Sequence, residues 1–397
     1  MEDPALTQRL IKDKITEDFK DKFGDGGDIR VYFAPGRVNL IGDHTDYNGG
    51  AAMPAALTLG TYFAVRKRED DKLRFYSVNF PEAGIIECSL NDLKNEPEHG
   101  WANYPKGIVW AYKEKGYEIP TGADILLYGT LPDSSGLSSS ASVEVGTAFA
   151  LADIFGLKIE LEDIAKLGQF SENSFNGVNC GIMDQFAIAM GKEDNAIFLN
   201  TSPLKYEYAN ADLGDNTLII AVSNKKRGLG DSKYNERRAE CEQALEELKQ
   251  VIDINTLCDL TEEQFEEHQD AVKSEIRQKR ARHAVSENRR TIRAKEALNN
   301  DDLEEFGKLM THSHNSLRDD YEVTGVELDT LVDSALKQSG VLGSRMTGAG
   351  FGGCTVSLVK KENADDFIEN VGKEYLEKIG YAADFYEVTP GDGPKRI

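Results

Sequence analysis

GTLPDSSGLSSSAS, residues 129–142, joins two segments of different character. The stretch that enters it, ADILLYGTL, is short, apolar and rich in branched and aromatic residues, as a strand is. The stretch that leaves it has the pattern of a long helix running to Phe155 and stopping at Gly156. The first turn of such a helix has N–H groups without intrahelical partners and the positive end of the helix dipole. Gly136 allows backbone to approach a ligand closely, and Ser138, Ser139 and Ser140 add hydroxyl donors. This is an anion cradle suited to a polyphosphate. A simple helix cap explains one serine but not three in succession behind Gly-Leu. The pattern GxxxxGK[ST] is absent, so the loop is not a Walker A motif.

On the N-terminal side, residues 5–23 carry Leu6, Leu10, Ile11, Ile15, Phe19 and Phe23 at helical spacing, with Gly24 as a stop. IRVYFA, TYFAVRKR, LRFYSVNF and AGIIECSL then read as strands. APGRVNLIGDHTDYNGG, residues 34–50, reads as a loop bounded by glycines, in which Arg37, Asp43, His44 and Asp46 are interleaved with Val38, Leu40 and Ile41. The apolar residues imply partial burial, and buried charges need partners or a ligand. Sugar hydroxyls would suit two carboxylates and a histidine.

On the C-terminal side, helices are expected near 161–175 and 182–190, the latter placing Asp184 in a first turn. TSPLKYEYANADLGDN is polar and broken, and it marks an expected domain boundary near residue 200, dividing the chain into 1–200 and 201–397. TLIIAVSN opens the second half as a strand. Residues 232–300 form a charged helical stretch whose alternating blocks read as solvated faces. GSRMTGAGFGGCTVSLV, residues 343–359, resembles a dinucleotide fingerprint only superficially, because a strand rather than a helix follows the glycines. The better reading is a glycine-rich turn feeding a strand. With no regular βαβ alternation, the expected class is α+β.

The formal charge of −23 on 397 residues disfavours nucleic acid and anionic membranes as partners. Five scattered cysteines without CxxC spacing fit reduced thiols, and the six histidines form no HExxH-type metal pattern. No signal peptide or bilayer-spanning run is present in the sequence, so a soluble cytoplasmic protein is expected.

Together, GRVNLIGDHTDYN, GLSSSAS, GIMDQF and RMTGAGFGG resemble the signature motifs of the GHMP small-molecule kinases, and in particular of their galactose-phosphorylating members. NKKRGLGDSKYNERRAEC, ARHAVSEN, SHNSLRDDYEVT and GDGPKRI extend the resemblance over nearly the whole chain. It implies a two-domain fold with the active site in the cleft, and transfer of the γ-phosphoryl group of ATP to the anomeric hydroxyl of galactose. It implies Asp184 and Arg37 as the catalytic pair. Asp43, His44, Asp46, Gly181 and Tyr234 would line the sugar pocket. Ser134, Ser135, Gly136, Leu137, Ser138, Ser139, Ser140 and Ala141 would hold ATP with Trp101, and Ser140 and Glu172 would hold Mg²⁺. No obligate protein partner is implied. Two departures stand out: Asp43 replaces the family's glutamate, and SSGLSSSA replaces GAGLSSSA. Non-catalytic sugar sensors resemble the same family, but this chain keeps Ser140, Ala141, Asp184 and Arg37, which favours an enzyme.

Overall fold

The computed structural model describes residues 4–132, 136–225 and 230–397. The first half runs α1 (Pro4–Phe23), β1 (Arg30–Asn39), β2 (Ala51–Ala52), β3 (Pro54–Lys67), β4 (Lys72–Ser77), β5 (Ile86–Ser89), α2 (Asn103–Glu114), β6 (Ala123–Gly129), α3 (Ser139–Phe155), α4 (Leu161–Ser174) and α5 (Met183–Ala189). It continues through β7 (Asn195–Thr201), β8 (Leu204–Asn210) and β9 (Asn216–Val222) to α6 (Gly230–Leu248), α7 (Glu262–His268), α8 (Glu275–Asn299), α9 (Leu303–Asp319) and α10 (Gly325–Ala335). The chain closes with β10 (Val341–Thr347), β11 (Cys354–Lys360), α11 (Ala364–Ile379), β12 (Asp384–Val388) and β13 (Lys395–Arg396). The architecture is two-domain α+β, as expected.

Six strands form one sheet in the order β13-β1-β3-β6-β4-β5, antiparallel except where β4 lies beside β6. Side chains alternate across a strand. Val31, Phe33, Tyr62 and Ala64 therefore pack under α1 against Ile15 and Phe19. Tyr32, Ala34, Phe63 and Val65 face the opposite way, into the layer of α2, α3, α4 and α5. The second half is built on a four-stranded antiparallel sheet, β10-β11-β9-β12. Ile219 and Ala221 of β9 bury against α10 and α11 through Leu331, Phe367 and Val371. The alternate residues Leu218, Ile220 and Val222 enter a different core, shared with Val38, Leu40, Ile41 and Met53 of the first half. Apolar burial of this kind is worth about 1.5–3 kcal/mol per large side chain. It draws the segment after β1 into the junction between the two sheets.

Three expectations need correction. The polar segment 201–216 contains β8, which pairs with β7, itself paired on its other edge with β2. Leu204 and Tyr206 recur every second residue and pack on the helical core, so the strand period outweighs the polar composition. The charged stretch 232–300 is interrupted by turns, and α8 buries Arg280, His283 and Glu287 instead of exposing them. Finally, Arg37 is not on a loop. Strand β1 runs on to Asn39 past an irregularity between Pro35 and Arg37.

The cause is local. Pro35 has no N–H to give to the ladder, and a bulge absorbs it. A Cβ on Gly36 would meet Leu131 Cδ2 at 2.5 Å and the Leu137 carbonyl oxygen at 2.8 Å. That close approach lets the Arg37 N–H donate to the Leu137 carbonyl at 3.2 Å, stitching β1 to the serine-rich turn. Gly36→Ala should force the two apart, with a loss of stability of about 1–3 kcal/mol, the usual range for overpacking. The check is the urea midpoint: an unchanged midpoint would show that the turn can retreat without loss.

Candidate active site

The bulge turns Arg37 toward α5. Its guanidinium grips Asp184 with two parallel bonds, Nε to Oδ1 and Nη2 to Oδ2, both 2.9 Å. Nη1 donates to the Gly136 carbonyl at 2.6 Å. Bidentate charge-assisted pairs of this type fix geometry as well as charge. Asp184 lies in the first turn of α5, where the helix dipole favours an anion. Ser138 Oγ also donates to Asp184 Oδ2. Ser138 takes the residue before α3 but makes no side-chain cap, and its φ of 60° is left-handed. Its hydroxyl is thereby directed to the Asp184 carboxylate rather than to the helix end. The first turn of α3, with Ser139, Ser140 and Ala141, keeps its free N–H groups for an anion. Leu137 is buried in the shared core and anchors the turn. Ser134 and Ser135 lie outside the described residues.

The glycine-rich turn between β10 and β11 stands opposite. A Cβ on Gly348 would come within 4.0 Å of the Gly136 carbonyl oxygen. Phe351 has a φ of 60°, and Gly350 and Gly353 are left-handed as well. The turn is thus a hairpin whose backbone faces the serine-rich turn.

Asp43, His44 and Asp46 follow β1. Asp43 is 4% exposed. Its Oδ1 accepts from Asn39 Nδ2 at 2.8 Å and from the Gly348 N–H at 3.2 Å, and its Oδ2 accepts from Arg345 Nη2 at 2.6 Å. His44 is buried, and burial pushes its pKa down to about 4, so the ring is neutral. Nε2–H donates to the Ala349 carbonyl at 3.2 Å, which leaves Nδ1 to accept from the Tyr47 hydroxyl at 2.8 Å. Asp46 differs: burial raises its pKa to about 6, opposed by backbone N–H bonds. A Cβ on Gly181 would lie 3.6 Å from Asp46 Oδ2, so the missing side chain there leaves the carboxylate accessible. Tyr234, whose pKa is raised by burial and then by the Asp46 charge, has its ring 5.6 Å from that of His44. The sequence-derived sugar set is therefore gathered in one place, with Asp46 as its open carboxylate.

Glu172 of α4 is buried, which raises its pKa, and it is hydrogen-bonded to Ser140. Gln185 Nε2, one residue beyond Asp184, donates to Glu172 Oε2 at 2.6 Å and to Glu144 Oε2 at 3.0 Å. Sequence reasoning missed both Gln185 and Glu144. The available signal was spacing, since Glu144 stands one helical turn after Ser140. Glu144 is fully buried, its pKa is driven well up by burial and then by Glu172, and its Oε1 has no partner. Ser140 and Glu172 carry oxygens of the hard kind that Mg²⁺ prefers. Trp101 packs on the helical core, with its Nε1–H buried and unpaired.

Family profiles match at residues 17–67 (galactokinase galactose-binding signature), 103–192 (GHMP kinases N terminal domain) and 294–378 (GHMP kinases C terminal). The chain is 56% identical to the galactokinase of Clostridium acetobutylicum, covering 98% of each chain. It is 53% identical to that of Ligilactobacillus salivarius, over 98% of this chain and all of the other. The crystal structure of Lactococcus lactis galactokinase complexed with galactose superposes with a TM-score of 0.92 at 46% identity, covering 98% of this chain and 100% of that one. Methanococcus jannaschii mevalonate kinase shares the fold alone, at TM-score 0.67 and 22% identity over 93% and 100% of the two chains. On the strength of identity that holds over nearly the whole length of both chains, the chain belongs to the galactokinase family of GHMP kinases.

Proposed function

We propose that Asp184 and Arg37 carry the phosphoryl transfer in this chain, with the sugar held against Asp46, Gly181 and Tyr234. The activity itself is that of the family: transfer of the γ-phosphoryl group of ATP to the anomeric hydroxyl of galactose, giving galactose 1-phosphate and ADP. The observation that carries the assignment is the two-pronged Arg37–Asp184 contact, placed between the polar pocket and the start of α3. Phosphoryl transfer is loose, so positioning and charge stabilisation do most of the work. Arg37 neutralises charge developing on the phosphoryl oxygens while holding Asp184 in place. Asp184 accepts the proton of the anomeric hydroxyl. A weak base suffices because the proton leaves late, once the sugar oxygen is acidified by bonding to phosphorus.

In this reading the N–H groups at the start of α3 and the segment from Gly136 to Ala141 cradle the phosphates. Ser134 and Ser135 extend the cradle and Trp101 flanks the base. Ser140 and Glu172 hold Mg²⁺, which supplies charge neutralisation on the phosphate oxygens when bound. Asp43 and His44 complete the wall of the sugar pocket. The domain boundary is set near residue 200, ahead of β9, and the compartment is the cytoplasm. Among the described residues no helix is long and apolar enough to cross a membrane.

Asp184→Asn should lower kcat by about 10²–10⁴-fold, the worth of a positioned base, while ATP binding survives. Retention of more than half the wild-type kcat would remove Asp184 from the mechanism. Glu172→Ala should raise the Mg²⁺ concentration that gives half-maximal rate, and an unchanged Mg²⁺ titration would refute its assignment.

The raised pKa of Asp46 sets a pH dependence for the sugar. Sugar hydroxyls donate best to the ionised carboxylate, so galactose affinity should rise with pH up to about 6 and level off above it. Below that point the slope approaches about tenfold per pH unit. The sign for folding is opposite: the folded state holds the proton more tightly than the unfolded chain, so Asp46 lowers stability as pH rises from about 4 to about 6. Calorimetric titration with galactose from pH 5 to 8 reads the first effect. A flat profile, or one that persists in Asp46→Asn, would exclude Asp46 as the group responsible.

A further inference from the structure

Arg345, on β10, is fully buried. A buried guanidinium is tolerated only if its donors are used. Nε donates to Ser313 Oγ at 3.2 Å, and Nη1 donates to the carbonyls of Asn39 at 3.0 Å and Leu40 at 3.3 Å. Nη2 donates to Asp43 Oδ2 at 2.6 Å and has Glu287 Oε1 at 3.9 Å. Three of its four bonded partners thus belong to the short segment that leads from β1 to His44 and Asp46. The other half of the chain grips the same segment with Glu287, whose Oε1 accepts from the Gly42 N–H at 3.0 Å, and with His283, whose Nε2–H donates to the Asp43 carbonyl at 3.2 Å.

Asp43 meets this grip with its whole carboxylate. Oδ2 goes to Arg345, and Oδ1 is shared between Asn39 and Gly348. A carboxylate turned inward and held by three donors is poorly placed to bond a ligand as well. Its near neighbour Asp46 has no such side-chain donor among the described contacts and stands beside the gap at Gly181.

We propose that Arg345 is a positioning residue for the sugar pocket and that Asp43 is its anchor, so that the pair sets where His44 and Asp46 stand while Asp43 does not read the sugar's 6-hydroxyl. The inference rests on the placement of galactose against Asp46 and Gly181 proposed above. It gives a function to the C-terminal strand that neither the phosphate cradle nor the catalytic pair requires. It also accounts for an aspartate where the family resemblance calls for glutamate: the shorter side chain is taken up by Arg345, Asn39 and Gly348.

The test compares Arg345→Lys and Asp43→Asn with wild type, using galactose titration by calorimetry without ATP, and kinetics with galactose and 6-deoxygalactose. Lysine cannot reproduce the guanidinium fork, and asparagine removes the charge at constant size. Each variant should weaken galactose binding by about tenfold, leave KM for ATP unchanged, and lower kcat/KM for both sugars by the same factor, as expected of a displaced but intact pocket. A merely structural role would move the ATP and galactose constants together. The proposal is overturned by wild-type galactose affinity in either folded variant. It is also overturned if Asp43→Asn penalises galactose about tenfold more than 6-deoxygalactose, which would make Asp43 a direct ligand. Where circular dichroism shows that Arg345→Lys does not fold, Asp43→Asn decides alone. Loss of folding in both reduces the contact to a stability device and sinks the idea. Asp46→Ala is run alongside: unchanged galactose affinity in that variant defeats the sugar placement itself, whatever Arg345 does.

Discussion

A charged group taken out of water must find its counterpart inside the protein, and at the junction of these two sheets two such counterparts come from far along the chain. Arg37 of the first sheet meets Asp184 of a later helix, and Asp43 meets Arg345 of the C-terminal hairpin. Glu287 of α8 is held well below the usual carboxylate range, at about 2, by Arg290, His283 and Arg345 against the opposing cost of burial. Breaking a buried pair by removing one partner typically costs about 3–5 kcal/mol, because an uncompensated charge remains. That penalty narrows the geometry the junction can adopt. The apolar residues Val38, Leu40 and Ile41 bring the segment into the shared core, and the ion pairs then fix its register there.

The same arrangement answers an electrostatic difficulty. A chain with a formal charge of −23 must bind a polyanion. The start of α3, the serine-rich turn and the facing glycine-rich turn offer backbone N–H groups, which suit a polyanion at no cost in net charge. Asp184 is matched by Arg37, and Glu144 is pushed toward its neutral form by burial and by Glu172. The local field is thereby set by a few buried groups rather than by the total.

Much of this was legible in the sequence because the motifs are local. The serine-rich turn, the helix start at Asp184 and the glycine-rich hairpin each declare themselves within about a dozen residues through turn chemistry and periodicity. What the sequence could not show is which charge meets which. Glu287 sits in a run of alternating charges that reads as a wet surface, yet it is fully buried because Ser313, Gly42 and Arg290 converge on it. Arg345 was visible within the glycine-rich motif but silent as to its partner. Gln185 and Glu144 carry no signature of their own, since their significance is to lie between Asp184 and the oxygen cluster at Glu172. Strand β8 was missed for a different reason: four of its seven residues face solvent, and composition hid the alternation.

Strand β1 bears Arg37 near one end, and at the other its outer edge is closed by β13, with Tyr32 opposite Arg396 and Phe33 opposite Lys395. The Ile397 N–H adds a bond to the Val31 carbonyl. During synthesis on the ribosome, that edge stays open until almost all the rest of the chain has emerged, an interval on the order of tens of seconds at ordinary elongation rates. An unpaired strand edge is a template for mispairing. The first sheet therefore keeps one edge open long after its first strands are made, and only the arrival of β13 closes it.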